Sequence, residues 1–162
     1  MMYVLEAYKR EDWPEVRERL KLSENTGFGF LVAPILRAWS YAGEGDRAGA
    51  MTALEPLLSD PRLKGIGEEH QAYILDHLGA YEDAKAAFLR LTSAERPTSF
   101  QPFVAYAYML YRAGHTDDAR AFLGEQTQRF KDNGFLMREA MRITSGYEPT
   151  QNTATPRGAA GA

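Results

Sequence analysis

Apolar positions along the chain recur at three- and four-residue intervals in short blocks, and polar turn residues separate the blocks at steady distances. The stretch Ala72 to Phe88 holds the pattern in its clearest form: a helical run closes on Leu78-Gly79, and a second helical run opens at Tyr81. Gly79 stands where the first helix must stop and the backbone must reach positive φ, which costs glycine almost nothing. Ala84 lies five residues further on and Ala72 seven residues earlier, each small enough to let two helices cross closely. The same frame returns upstream as Ala38, Gly45, Ala50 and Leu54, and downstream as Ala107, Gly114, Ala119 and Leu123. Ala50 to Ala84 spans 34 residues and Ala84 to Ala119 spans 35, so the unit is a repeated helical hairpin rather than a closed globule.

The pattern predicts an all-α chain. Helices are expected over Met2 to Lys9, from an Asp12 cap to about Lys21, over Phe28 to Gly43, and from an Asp46 cap to about Ser59. Pro34 within the third run implies a late start or a kink. After a loose segment to Gly65, helices follow over Ile66 to Leu78 and Tyr81 to Thr92, then one capped by Thr98 or Ser99. The next is capped by Thr116, and the last covers Gly134 to Ile143. Residues 1–143 are read as one repeat domain. Residues 144–162, rich in Pro, Gly, Ala and Thr, read as a linker or truncated tail.

The three frames resemble the tetratricopeptide repeat family, whose helix-turn-helix unit has the same length. That family places a small residue in the first helix, Gly at the turn, Ala early in the second helix and a large apolar residue one turn later. Ala72, Gly79, Ala84 and Phe88 fill those places, and Val4, Glu11, Val16 and Leu20 make a degenerate first copy. Pro61 and Pro97 fall near the family's inter-repeat proline. The resemblance implies a right-handed α-solenoid of antiparallel helix-turn-helix hairpins, with about three full repeats and partial ones at each end. The chain is expected to be a fragment of a longer bacterial protein of this kind, beginning inside a repeat.

In that family the first helix of each hairpin lines a concave groove. The implied groove column is Leu5, Trp39, Tyr73 and Tyr108, flanked by Tyr8 and Lys9, by Glu69, Asp76 and His77, and by Tyr111 and Arg112. Aromatic residues with a polar tip are the usual anchors of binding surfaces. The resemblance therefore implies a non-catalytic scaffold that binds a protein or peptide partner along this column. An alternative is self-association, in which apolar solenoid ends stack on other copies. Family members that clamp a terminal carboxylate use Lys and Asn on the first helix. Here Tyr73 and Tyr108 stand in place of Asn, which argues against that ligand.

Composition narrows the chemistry further. A net charge of −3, with basic and acidic residues interspersed, gives no drive toward nucleic acid. The absence of Cys excludes disulfides and thiolate metal sites, and leaves the redox compartment open. Glu6, Lys9 and Arg10 interrupt any apolar run near Met1, so no signal peptide is read there. The cytoplasm is the default compartment, and the periplasm follows if a longer chain carries such a signal. Phe28 to Leu36 is too short to span a bilayer, so no membrane insertion is expected. His70 and His77 lie about 10 Å apart along a helix at ~1.5 Å per residue, too far for one metal ion. No enzyme activity, cofactor or metal is expected.

Overall fold

The computed structural model describes residues 2–22 and 27–146. Among them are nine α-helices: α1 (Met2–Lys9), α2 (Trp13–Lys21), α3 (Gly29–Gly43), α4 (Arg47–Ser59), α5 (Lys64–His77), α6 (Tyr81–Thr92), α7 (Gln101–Arg112), α8 (Thr116–Arg129) and α9 (Gly134–Thr144). No strand occurs among the described residues. The chain divides into two compact units, Met1–Ala87 and Phe88–Ala162, with the division falling inside α6.

The turns show why the hairpins form. Glu11, Gly45, Gly79 and Gly114 all adopt positive φ, at 57°, 77°, 70° and 85°. Each next helix begins two residues later. In each turn the amide after the left-handed residue reaches back five residues, from Asp12 to Ala7, Asp46 to Tyr41, Ala80 to Leu75 and His115 to Leu110. These bonds satisfy carbonyls that the ending helix leaves unpaired and reverse the chain onto it. Glu11 takes the glycine conformation despite its side chain, so the degenerate copy closes by the same turn.

The first unit packs α1 on α2, α2 on α3, α3 on α4 and α4 on α5, and α3 also meets α5. Val4, Ala7, Val16, Leu20 and Ala33 form one buried cluster, and Ala38, Ala50, Leu54, Leu57 and Ile74 belong to a second. Trp13 presses so closely on α3 that a Cβ at Gly43 would lie 2.5 Å from its indole. Arg17 of α2 forks onto both carboxylate oxygens of Glu44, at 2.9 and 3.0 Å, and lies over the Tyr41 ring.

The second unit packs α7 on α8 and α8 on α9, with α7 also meeting α9. Its core is aromatic: Phe103 contacts Phe100, Phe122 and Phe130, while Tyr106 contacts Phe88 and Phe122. Arg129 donates to the carbonyls of Thr92, Ser93 and Ala94 just past the last turn of α6. A cation is favoured there because the carbonyl ends of a helix carry partial negative charge.

Several sequence-based boundaries shift. Helix α5 starts at Lys64 rather than Ile66, because the Asp60 carbonyl accepts from both Leu63 and Lys64 and closes the turn early. Pro34 causes no late start: the Phe28 carbonyl accepts from Leu31 and Val32, which closes the first turn of α3 ahead of it. Helix α4 runs from the Asp46 cap to Ser59 as expected, with Pro56 in its interior. Thr116 is the first residue of α8 and not its cap, because the left-handed Gly114 places His115 at the cap position. Phe100 holds that position for α7, and Ser99 Oγ still accepts from the Gln101 amide at 3.2 Å. Thr144 is the last residue of α9 rather than the first of a tail. The loop residues Asn25 and Thr26 and the tail from Tyr147 onward lie outside the described residues.

Candidate functional site

Counting back from each left-handed turn residue places the candidate column. Seven residues before it stand Val4, Ala38, Ala72 and Ala107, all buried. One position on, a turn of about 100° around the helix brings Leu5, Trp39, Tyr73 and Tyr108 off the core. Leu5 is exposed, and the three aromatic residues are half-buried.

In the first unit, α3 supplies Trp39, while α5 supplies Glu69, His70, Tyr73, Asp76 and His77. Trp39 Nε1 donates to His70 Nδ1 at 3.2 Å, and its ring meets the His77 ring edge-on with centroids 5.6 Å apart. Tyr73 donates its hydroxyl to Glu69 Oε1 at 2.7 Å, and its ring is edge-on to His70. Burial, and then the bond to the Glu69 carboxylate, hold the Tyr73 phenol well above the usual range. Burial pushes the His70 imidazole below its ordinary value, opposed by the Glu69 charge. Tyr8 does not join this cluster. Its ring packs edge-on against Trp13 at 5.1 Å, and burial raises its phenol, while Lys9 pairs with Glu6 at 3.7 Å.

In the second unit Tyr108 donates its hydroxyl to Glu139 Oε2 at 2.6 Å, and Arg142 donates to Glu139 Oε1 at 2.9 Å. Tyr111 is half-buried and Arg112 exposed at the end of the same helix, α7. A shallow cleft of about 330 Å³ lies between α8 and α9, lined by Thr127, Gln128, Lys131, Met137, Ala140 and Met141. Its methionines are exposed, Met141 at 62%.

The sequence singled out the column but missed what its polar tips bind. Trp39 to His70 and Tyr108 to Glu139 are both steps of 31 residues. The two partners hold different places in the repeat: His70 lies three positions before Tyr73, one helical turn away on the same face of α5, whereas Glu139 lies seven residues before the left-handed Gly146. Tyr73 instead donates its hydroxyl to Glu69 within its own helix.

Among the described residues no three His, Cys, Asp or Glu side chains gather as metal ligands, and no helix is long and apolar enough to cross a membrane. Comparison with known proteins finds no matching family model, no similar curated protein and no similar solved structure.

Proposed function

We propose that the chain is a non-catalytic protein-binding module of tetratricopeptide type, a right-handed α-solenoid that receives a peptide or partner helix along its column of aromatic residues. The four turns spaced at 34 and 35 residues, each closed by a left-handed residue, support the repeat reading. The observation that carries the binding reading is the recurring position itself: it holds Trp39 and Tyr73 in the first unit and Tyr108 in the second, each half-buried beside a fully buried alanine. Large apolar faces held at the surface by satisfied polar tips are pre-organised anchors, which lowers the ordering cost of binding. Glu69 and Asp76 offer carboxylates to partner cations, and Arg112 a cation to partner carboxylates. Such exposed pairs contribute about 0–1 kcal/mol each and act mainly on orientation.

The test is capture of a partner by the intact chain, followed by comparison of Trp39→Ala and Tyr111→Ala with Arg120→Ala, each first checked for native helicity. Loss of capture in the two aromatic variants but not in the Arg120 control is the expected result. Equal loss in all three, or in none, moves the interface off the column. Tyr108 is unsuitable as the probe because it also holds Glu139. A self-association reading is favoured by one observation, the exposed Met137 and Met141 on α9. It predicts a mass that rises with concentration and that Met141→Glu returns to a monomer.

A further inference from the structure

Trp39 is held between two imidazoles of α5. His70 accepts the indole N–H on Nδ1 at 3.2 Å, and His77 meets the indole ring edge-on. An Nδ1 that accepts a hydrogen bond must be unprotonated, whereas the imidazolium carries hydrogen on both nitrogens and accepts nothing. The Trp39 bond therefore exists only while His70 is neutral. Burial already favours the neutral ring.

His70 is the ring whose nitrogen holds the indole bond, and the charged groups around it lie on three helices. On α5, Glu69 opposes the effect of burial and accepts from Tyr73, Lys64 pairs with Glu68 at 3.8 Å, and Asp76 and His77 follow further along the helix. Helices α3 and α4 pack on α5 in this unit. Helix α3 carries one charged residue, Arg37, and α4 carries Arg47 and Glu55, of which Arg47 is paired with Asp83 at 2.7 Å.

We propose that His70 is a proton-operated latch on Trp39: the neutral ring fixes the indole at the column, and protonation releases it and weakens partner binding there. The inference rests on the binding reading given above. On protonation Nδ1 gains a hydrogen that points at the indole N–H, so the two donors repel and the indole must turn away. A partner that docks on the Trp39 face then loses a pre-set anchor.

The latch itself is read without a partner, from the indole Nε1–H resonance of Trp39. Trp13→Phe identifies that resonance, since the chain has two tryptophans. In the His77→Gln background, which removes the second imidazole at the indole, it should shift between about pH 7.5 and about pH 4.5 with a single midpoint below the ordinary histidine value. In that background the shift should vanish on adding His70→Asn, whose amide oxygen can accept without titrating. A resonance that stays fixed while His70 titrates, or a shift that survives His70→Asn, overturns the latch. If His70→Asn does not fold, the tautomer of His70 in the unmodified chain decides, since hydrogen on Nδ1 at neutral pH is incompatible with the bond.

Regulation is tested with the captured partner. Affinity should fall about two- to tenfold across the same transition, the worth of one ordinary hydrogen bond, and stay level in His70→Asn. Constant affinity while the Trp39 resonance moves overturns the regulatory role. Capture that ignores Trp39→Ala refutes the column as the binding site and leaves the latch standing.

Discussion

Tyr108 and Glu139 meet across α7 and α9 at 2.6 Å, with the phenol as donor and a carboxylate whose side chain is 8% exposed as acceptor. Glu139 lies seven residues before the left-handed Gly146, the place that Ala38, Ala72 and Ala107 hold in the earlier turns. A charged group thus occupies a position filled elsewhere by a methyl group. Its burial is tolerable because Tyr108 and Arg142 each engage one of its oxygens. Removing one partner of a buried charge costs more than removing the charge, since the orphaned group keeps its desolvation penalty. Tyr108→Phe should therefore lower stability by about 1.5–3 kcal/mol, and Glu139→Leu by less, both read as shifts in urea midpoint at constant slope. The opposite ranking would mean that the carboxylate finds water in place of the phenol.

Glu11 is the one described non-glycine residue at positive φ. For a residue with a Cβ the left-handed region costs roughly 1–2 kcal/mol, against which glycine loses some unfolded-state freedom. Glu11→Gly should raise stability by about 0.5–1 kcal/mol. The reverse change, Gly79→Ala, should lower it by about 1 kcal/mol through backbone strain alone, because a Cβ there would meet nothing within 4 Å. Thermal melts of the two variants should move in opposite directions.

The small-residue frame gives a second stability test. Ala84 and Ala119 are fully buried early in α6 and α8. A leucine at either place must push the helix away from its packing surface, because protein interiors have few voids. Ala84→Leu and Ala119→Leu should each cost about 1–3 kcal/mol. Unchanged melting midpoints in both would contradict the close crossings that the spacing implies.

What was legible in the sequence follows from which signals are local. Helix existence and turn position were readable because Gly45, Gly79 and Gly114 mark positive φ and the apolar period marks the buried stripe. The fully buried set Ala38, Ala50, Ala72, Ala84, Ala107 and Ala119 was visible in the same frame. Caps were harder: Thr116 looked like one by residue type, but the turn geometry had already assigned the place to His115. The column residues were legible as surface aromatics, whereas their polar partners were not. His70 and Glu139 are distant in sequence, and their role depends on the helix-to-helix offset, which the spacing of small residues does not reveal alone.

A pH dependence of stability follows from His70. Its folded-state imidazole titrates below the ordinary value of 6.5, chiefly through burial. The unfolded chain therefore binds the proton more readily, and the stabilising contribution is fully present above about pH 6.5. It is lost as pH falls from there through the folded-state value. Melting temperature should decline over that window, and the decline should be smaller in His70→Asn. A stability that rises on acidification across the window would reverse the sign and place the proton preference in the folded state.

Gln126 gives the last test, because it puts an amide where the repeat calls for a hydrocarbon. Twelve residues after the left-handed Gly45 stands Leu57, which is fully buried, and twelve after Gly114 stands Gln126, which is buried as well. The Gln126 Oε1 is enclosed without a hydrogen-bond partner. An unsatisfied buried acceptor costs roughly 1–3 kcal/mol, and leucine removes that cost at similar volume. Packing is not recovered in full, because the branch point of leucine differs from the straight amide chain, so part of the gain goes to local repacking. Gln126→Leu should therefore stabilise the chain by about 1 kcal/mol, raising its melting temperature, while Gln126→Ala should lower it by opening a cavity. If Gln126→Leu also lowers the melting temperature, Oε1 is bonded in solution, and a buried water between α8 and its neighbours becomes the group to look for by isotope-edited NMR.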